Sequence, residues 1–306
     1  MKLNFQEKVG HIDRDEVIPL RVEQIESKIT PDPVYPLAHA IDVARILEEH
    51  DGGFIDMINR FFDLRDDEVG RKMPHGRGLV FARRIGAVNE CIAETSAILG
   101  KIGKPFPPRD KVHIDVGCGM GFGMAASSKS SFGQNVIGID LAPHYLVMAK
   151  RLLAEQGVEG ARLVCGDVCD GWPIELDDHN VGFISMEGVL EHIKRLPEFF
   201  ANVRKLRSFP SAIYLTVPYR WTFQPEPHFN VRGVGLMPRS LQDRYVAWRL
   251  GEKEIDHVEQ YSVNSLRRML ASHVEDRTHI TLNSTELLKA HYLKCVIYIE
   301  SAADFR

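Results

Sequence analysis

Short apolar runs alternate with helix-like segments in the last two thirds of the chain. Each run is rich in β-branched residues and is separated from the next by a stretch with helical spacing. The runs are KVHIDV (111–116), NVIGID (135–140), ARLVCG (161–166), VGFISM (181–186) and SAIYLTVP (211–218). Parallel strands need crossover connections, and helices supply them on both faces of a sheet. The pattern therefore predicts a doubly wound α/β sheet.

The last two apolar runs break this alternation. Residues 279–282 and 292–301 are separated by too little chain for a long crossover helix. We therefore expect them to form an antiparallel pair at the edge of the sheet. The predicted fold class is α/β, with a Rossmann-like, doubly wound, seven-stranded sheet whose last strand is antiparallel.

The first third of the chain has a different texture. A helical pattern with steps of three or four residues precedes Gly100, which we expect to end the helix. Its apolar positions are Phe81, Ile85, Val88, Ile92, Thr95 and Leu99. The stretch from Leu37 to Leu64 also has a helical pattern. We therefore predict a mostly helical N-terminal extension over residues 1–105, followed by an α/β domain over residues 106–306.

A long insertion follows the fifth predicted strand. Residues 218–262 are rich in proline, aromatic residues and histidine, and they precede a predicted helix near Val263 to Leu270. A loop longer than about 15 residues in a compact domain is usually functional or disordered, and the aromatic residues argue against disorder. We interpret this insertion as a cap over the functional site.

Composition excludes several classes of protein. The 306 residues are 44% hydrophobic and 26% charged with a net charge of −4, which excludes fibrous and wholly disordered chains. No basic footprint for a nucleic-acid duplex is present, although a short RNA substrate is not excluded. The odd number of cysteines, the absence of a C-x-x-C pair and the charged first residues favour a reducing, cytoplasmic location without a membrane span.

A glycine-rich loop follows the first predicted strand. Val112 to Val116 leads into Gly117-Cys118-Gly119-Met120-Gly121-Phe122-Gly123. Alternate glycines would let a ligand lie against exposed backbone N–H groups near a helix N-terminus, whereas a flexible tight turn is the plainer alternative. The dinucleotide fingerprint fails because Phe122 or Met124 stands at the third glycine position, and the P-loop fails because no G-K-[ST] follows.

Acidic residues stand at the ends of the first three predicted strands. Asp115 lies two positions before the first glycine of the loop, and Asp140 ends the second strand. A carboxylate in the position of Asp140 can accept hydrogen bonds from ribose hydroxyls; the alternative is an N-cap for the helix that begins near Pro143. Asp167 follows the third strand and could accept from an adenine amino group, or could be an ordinary loop residue.

These residues resemble the class I S-adenosylmethionine-dependent methyltransferases over about residues 108–219. IDVGCGMGFG resembles the first motif of the family, VIGIDLAPHYLVMAKRL its second-strand segment, and CGDVCDGWPIELDDHNVGFISMEGVLEHI its third and fourth motifs. The resemblance implies S-adenosylmethionine as the cofactor, bound by the domain at 106–306. It also implies that the glycine loop and the acid before it hold the methionine part of the cofactor. The acid at the end of strand two would hold the ribose, and the acid of the Gly166-Asp167 pair would contact the adenine. The implied cofactor residues are Asp115, Gly117, Gly119, Asp140 and Asp167, with Val168 flanking the adenine.

The acceptor site is expected beyond the ends of the fourth and fifth strands. After strand four, the sequence resembles an E-x-x-E-H pattern that supplies magnesium ligands in ubiquinone-biosynthesis and small-RNA methyltransferases. Gly188 stands where the first carboxylate belongs, so we assign no metal. A site formed by Glu191, His192 and His228 is the alternative. The plainer interpretation of His192 is that it packs near the floor of the active site.

Three residues are candidates for catalytic roles. His228 in the insertion could take a proton from a hydroxyl, because imidazole has an intrinsic pKa near ~6.5; the alternative is a structural histidine. Tyr219 could line the pocket or be a buried tyrosine at a strand end. His192 is the third candidate.

The predicted function is S-adenosylmethionine-dependent methylation, with an oxygen of a polar small molecule or sugar as acceptor. Arginines 220, 232 and 239 of the insertion could hold an anionic acceptor, or could be solvated. The alternatives are a metal-assisted RNA 2′-O-methyltransferase, an N- or C-methyltransferase, a non-catalytic cofactor-binding partner subunit and a nicotinamide oxidoreductase. No membrane or nucleic-acid partner is expected, and homo-oligomerisation is left open.

Overall fold

The computed structural model describes residues 37–64, 90–107, 110–130, 135–158, 160–172, 181–206, 211–225, 231–251, 259–274, 278–282, 290–300 and 304. The strands in these ranges are β1 (Val112–Val116), β2 (Val136–Asp140), β3 (Arg162–Cys165), β4 (Val181–Glu187), β5 (Ser211–Pro218), β6 (Thr278–Leu282) and β7 (Tyr292–Ile299). The α-helices are α1 (Leu37–Glu48), α2 (Phe54–Leu64), α3 (Glu90–Lys101), α4 (Phe122–Ser130), α5 (Pro143–Glu155), α6 (Leu196–Lys205), α7 (Arg239–Leu250) and α8 (Val263–Ala271). Single 3₁₀ turns occur at Leu190–His192 and Val234–Leu236.

The strands form one seven-stranded sheet in the order β3-β2-β1-β4-β5-β7-β6. Strands β1 to β5 are parallel, whereas β7 lies antiparallel between β5 and β6. Both the doubly wound sheet and the antiparallel last strand are therefore confirmed. The strand order reverses between β1 and β4. In open α/β sheets, ligands bind beyond the carboxyl ends of the strands at such a point.

A hydrophobic core covers each face of the sheet. On one face, strand residues such as Phe183 pack with helices α1 to α5. On the other face, Ile114 and its neighbours pack with α6 and α8 through side chains such as Phe199 and Leu266. Full burial of such a side chain contributes about 1.5–3 kcal/mol. Every residue of β5 is buried, because helices cover both faces of the sheet at this strand.

The N-terminal helices share a core with the sheet. The ring of Phe61 in α2 stacks on His144 of α5 at 5.1 Å between centroids. A guanidinium N–H of Arg151 donates to the carbonyl of His50 at 2.8 Å. The helical character of this region agrees with the sequence pattern, and the boundary at residue 105 stays a prediction.

The helical pattern from Leu37 to Leu64 is confirmed, as two helices, because Asp51-Gly52-Gly53 has poor helix propensity and separates α1 from α2. The predicted stop at Gly100 is wrong, since α3 continues to Lys101. The apolar positions predicted at residues 81–88 lie outside the described residues.

The insertion after β5 contains helix α7, which the sequence pattern did not indicate. Leu241 and Trp248 on this helix are 47% and 71% exposed, so its apolar residues are not confined to one buried stripe. This arrangement obscures the helical period. The helix predicted near Val263 is confirmed as α8, which begins with a capping box between Ser262 and Ser265. Within the described ranges, no helix is long and apolar enough to cross a membrane.

A carboxylate of α5 connects the N-terminal helices to the domain. Glu155 Oε1 accepts a hydrogen bond of 2.5 Å from the backbone N–H of Phe54, the first residue of α2. Because helix N-termini have unpaired N–H groups, Glu155→Ala is expected to lower the free energy of unfolding by about 1 kcal/mol. Chemical denaturation measures this change. The matched variant Glu49→Ala, at an exposed residue of the same type, is expected to unfold like the wild type, and an equal loss in both variants would contradict the capping role.

Candidate active site

Three carboxylates lie at the carboxyl ends of adjacent parallel strands. Asp115 is the penultimate residue of β1, Asp140 ends β2, and Asp167 follows β3 by two residues. These strands are neighbours in the sheet, so their carboxyl ends meet at one edge. The sheet therefore brings together three acids that the sequence separates by more than 20 residues each.

The glycine loop between β1 and α4 lies close to this edge. Gly117 has a φ of 66°, and a Cβ built on it would lie 2.3 Å from Cγ2 of Val189. A side chain at this position would therefore meet both backbone strain and a steric clash. The N–H groups of Gly117 and Cys118 donate to the carbonyl of Ile139 at 2.7 and 3.1 Å.

Part of the prediction for the loop is wrong. The N–H of Gly119 donates to Asp140 Oδ2 at 2.8 Å, and the N–H of Gly121 donates to the carbonyl of Cys118. The N–H groups of these glycines are thus used within the protein and are not exposed toward a ligand. Their bonds hold the loop against the end of β2, because β2 supplies both the Ile139 carbonyl and the Asp140 carboxylate.

Asp140 organises the loops on both sides of it. Its Oδ1 accepts from the N–H of Ala142, and its Oδ2 accepts from Gly119, both at 2.8 Å. Ala142, and not Asp140, is the N-cap residue of α5. Burial raises the pKa of Asp140, and the backbone hydrogen bonds oppose that shift. Each carboxylate oxygen has two lone pairs, so Asp140 keeps capacity for further donors such as hydroxyls.

Asp167 lies in a loop that is held by side chains from a later segment. Its Oδ1 accepts from the N–H of Cys169 at 2.7 Å, and its Oδ2 accepts from Arg195 at 2.6 Å. Arg195 also donates to Asp170 at 2.7 Å. The side-chain amide of Asn202 donates to the carbonyls of Val168 and Cys169, while the Val168 side chain is buried in the core. The loop after β3 is thereby attached to the segment after β4.

A buried chain of polar groups leads to Asp115. The hydroxyl of Ser185 on β4 donates to Asp115 Oδ1 at 2.5 Å. Nε2 of His113 lies 2.7 Å from Ser185 Oγ, and its Nδ1 lies 2.6 Å from Ser127 Oγ on α4. Burial raises the pKa of Asp115 to about 7, against the lowering effect of the Ser185 hydrogen bond. Burial lowers the pKa of His113 to about 3, so His113 is neutral at neutral pH.

The segment after β4 separates the two residues proposed for metal binding. Glu191 is buried, whereas the side chain of His192 is exposed. The side chain of His192 is therefore not packed in the core, and its position near the floor of the site stays a prediction. Among the described residues, no group of three His, Cys, Asp or Glu side chains is arranged to hold a metal ion.

Tyr219 follows β5 directly and is buried, with 3% of its surface exposed. Its N–H donates to the carbonyl of His291 at 2.8 Å, and it pairs with Tyr261 in an isolated bridge. Burial raises the pKa of Tyr219, so its phenol is protonated at neutral pH. Burial, with Glu259 and Glu191 nearby, also raises the pKa of Tyr261.

The cap is attached to the end of β5 through Arg220. Its guanidinium donates to the carbonyls of Gly235 and Met237 at 3.0 and 3.1 Å. Arg239 forms an ion pair of 2.7 Å with Asp243 on the surface of α7, and Arg232 is exposed. Of the two alternatives for these arginines, the anion clamp is not assembled, since Arg220 and Arg239 contact other partners. His228 lies outside the described residues.

Five polar residues around the site were not among the predicted site residues, namely Ser127, His113, Ser185, Arg195 and Asn202. His113 and Ser185 had a detectable signal, because each is a polar residue inside an otherwise apolar strand. His113 also has the same parity along β1 as Asp115, which places both on one face of the sheet. Arg195 and Asn202 had no such signal, since exposed arginines and helical asparagines are common.

Residues 114–207 match a family profile described as a methyltransferase domain. The matched range contains β1, the glycine loop, and the ends of β2 and β3 with their acids. Residues 114–207 therefore form a methyltransferase domain. S-adenosylmethionine is the cofactor that the motifs of the sequence imply for such a domain.

Several solved methyltransferase structures are similar to this chain. Phosphoethanolamine N-methyltransferase 2 of Haemonchus contortus matches with 10% identity and a TM-score of 0.45, over 68% of this chain and 52% of its own. Geranyl diphosphate C-methyltransferase of Streptomyces coelicolor matches with 12% identity and a TM-score of 0.47, over 88% and 99%. Magnesium protoporphyrin IX methyltransferase of Synechocystis matches with 16% identity and a TM-score of 0.43, over 86% and 96%.

The chain spans about half the length of the Haemonchus enzyme. No curated protein matches the chain.

Proposed function

We propose that this methyltransferase transfers the methyl group of S-adenosylmethionine to an oxygen of a polar small molecule or sugar. The observation that carries the proposal is the meeting of the glycine loop with Asp115, Asp140 and Asp167 at one edge of the sheet. The cap follows β5, the strand beyond the reversal of strand order. This arrangement separates a cofactor side from an acceptor side.

The residues present fit the cofactor. Asp140 has free lone pairs for the two ribose hydroxyls, and Asp167 has a free lone pair for the adenine amino group. A Cβ on Gly119 would meet only the carbonyl oxygen of Gly117, at 4.0 Å, so the cofactor can lie against the loop there, while Gly117 lets the loop pass close to Val189. Asp115 and Gly119 serve the methionine part, and Val168 flanks the adenine.

The cofactor supplies a methyl group on a sulfonium, which is an activated leaving group. The protein then needs to align the acceptor, exclude water and take the acceptor's proton. The cap supplies the first two through the anchored segment at Gly235 and Met237. His228 takes the proton, and the protonated phenol of Tyr219 shapes the acceptor side. His192 is exposed and is proposed only to contact the acceptor at the mouth of the site.

His228→Ala is expected to lower kcat by about 100-fold or more, because general-base catalysis contributes an effect of that size. The affinity for S-adenosylhomocysteine is expected to stay within about twofold of the wild type, since a residue of the cap does not bind the cofactor. Steady-state kinetics and calorimetry measure the two quantities. His279→Ala, on edge strand β6, is the matched control. Equal kcat in wild type and His228→Ala would remove His228 from the mechanism.

Binding of S-adenosylhomocysteine, measured by calorimetry with NAD as control ligand, is the first test of the proposed function. Binding of NAD in its place would overturn the proposal. The second test is release of S-adenosylhomocysteine in the presence of candidate sugars, phenols, amines and a short RNA. Turnover with a hydroxyl compound that persists in EDTA supports the proposal, whereas turnover only with RNA and a divalent ion would replace it by the RNA alternative.

A reducing, cytoplasmic location is part of the proposal. Cys118, Cys165, Cys169 and Cys295 are free thiols and are buried. Burial raises the pKa of each of these thiols and keeps it protonated and unreactive at neutral pH. The proposed partner is a small-molecule acceptor.

A further inference from the structure

The chain of polar groups beneath the glycine loop has a defined direction of hydrogen bonding. Ser185 donates its hydroxyl proton to Asp115, because an ionised carboxylate only accepts. Ser185 Oγ must then accept from His113, so Nε2 of His113 carries the proton. A neutral imidazole has one donor and one acceptor nitrogen, so Nδ1 accepts from the hydroxyl of Ser127. While Asp115 is ionised, the donor and the acceptor of each hydrogen bond in this chain of polar groups are therefore fixed.

The four members come from three elements that meet only in the folded domain. Asp115 and His113 lie on β1, Ser185 lies opposite Asp115 on the neighbouring strand β4, and Ser127 lies on α4. The side chains of His113, Ser127 and Ser185 are at most 1% exposed. A buried polar group without a partner costs about 1–3 kcal/mol. Both ring nitrogens of His113 have a partner in this chain of polar groups, so the ring does not carry that cost.

We propose that Ser185 and His113 are positioning residues of the cofactor site, which hold the ionised carboxylate of Asp115 in the orientation that receives the methionine part of S-adenosylmethionine. This inference rests on the proposed function, in which Asp115 serves that part of the cofactor. The observation that carries it is the continuous chain of contacts of 2.5 to 2.7 Å from Ser127 to Asp115. Asp115 Oδ2 is turned toward α4, where it would lie 2.7 Å from a Cβ on Gly123.

The charged groups around Asp115 set the sign of the expected pH dependence. Glu187 on β4 and Asp140 on β2 disfavour its ionisation, while the Ser185 hydrogen bond favours it. Cys118 of the glycine loop is a protonated thiol, and His113 is neutral. The ammonium group of the cofactor is a cation, and in the proposed site the ionised carboxylate of Asp115 would be its counter-charge. Below the pKa of Asp115, binding must release a proton, so affinity falls by up to about tenfold per pH unit.

The affinity for S-adenosylhomocysteine should therefore rise with pH and level off above about pH 7 in the wild type. Ser185→Ala removes the hydrogen bond that favours ionisation. We expect this variant to level off about one pH unit higher and to bind about tenfold more weakly at pH 6.5. Calorimetry between about pH 5.5 and about pH 8.5 measures both changes, because this interval spans the titration of a single carboxyl.

Two substitutions of His113 test the chain independently. Glutamine places an amide nitrogen near the position of Nε2, so His113→Gln should keep the wild-type pH profile, whereas His113→Leu should shift it in the direction of Ser185→Ala. Ser272→Ala, which removes an exposed hydroxyl on the C-cap of α8, is the matched control and should leave the profile in place.

The outcomes distinguish this inference from the proposed function. A wild type that binds S-adenosylhomocysteine with the same affinity at every pH would overturn the positioning role alone. The same conclusion follows if Ser185→Ala and His113→Leu lower the melting temperature but keep the wild-type pH profile, since that result describes a structural role. A wild type that binds no S-adenosylhomocysteine at any pH would instead overturn the proposed function.

Discussion

Asp140→Ala is expected to weaken the binding of S-adenosylhomocysteine on the order of 10- to 100-fold, because hydrogen bonds to charged groups contribute about 1.5–3 kcal/mol. Two effects add in this variant. The proposed acceptor of the ribose hydroxyls is lost, and the N–H groups of Gly119 and Ala142 lose the carboxylate that orders them. The glycine loop would then be less well placed for the cofactor. Calorimetry of wild type and variant measures the change.

The matched control for this substitution is Asp243→Ala. Asp243 lies on the surface of α7 and forms an ion pair with Arg239 of the same helix. An exposed pair of this kind contributes about 0–1 kcal/mol, so cofactor affinity should be unchanged. Equal affinity of wild type and Asp140→Ala, with both proteins folded, would exclude Asp140 from the cofactor site.

Gly235→Ala is expected to abolish most turnover while cofactor affinity is kept. A Cβ on Gly235 would lie 1.9 Å from the backbone carbonyl oxygen of Arg220 and 2.6 Å from Oε1 of Gln260. The backbone carbonyl of Arg220 cannot rotate away as a flexible side chain could. The segment that contains Gly235 must therefore shift, and the hydrogen bonds from Arg220 to Gly235 and Met237 are lost. We expect the free energy of unfolding to fall by about 1–3 kcal/mol and kcat by at least about tenfold.

Gly100→Ala provides the opposite steric case. Gly100 is the penultimate residue of α3, and a Cβ there meets nothing within 4 Å. Alanine has the higher helix propensity, so this variant should be more stable by about 0.5–1 kcal/mol and fully active. The role of the cap would be contradicted by a Gly235→Ala variant that turns over acceptor like the wild type, or that loses cofactor and acceptor affinity together.

The sheet was predictable because its strands carry a strong local signal. Strands β1 to β5 coincide with the five apolar runs, since a strand buried on both faces is apolar at nearly every position. The antiparallel arrangement of β6 and β7 followed from the short connection between them. The glycine loop and Asp140 were also predictable, because a strand, a glycine-rich turn and a helix form one contiguous segment.

The cap was less predictable because its contacts are irregular. Its one α-helix among the described residues, α7, has exposed apolar residues. The three arginines of the cap were compatible in sequence with either an anion clamp or solvated side chains. The structure instead uses Arg220 as a tie to two backbone carbonyls. Sequence shows that a guanidinium is present, but only the fold decides whether a carbonyl, a carboxylate or solvent faces it.

The amino-acid sequence by itself determined the order of strands along the chain, the glycine loop and the acids that end the strands, since these are properties of contiguous segments. The tertiary structure alone decided which distant polar groups face those acids. Ser185 meets Asp115 across 70 residues of sequence, and Arg195 meets Asp167 across 28. The physical reason is that these contacts depend on β4 lying beside β1 and on the register between them, which no local pattern of residues specifies.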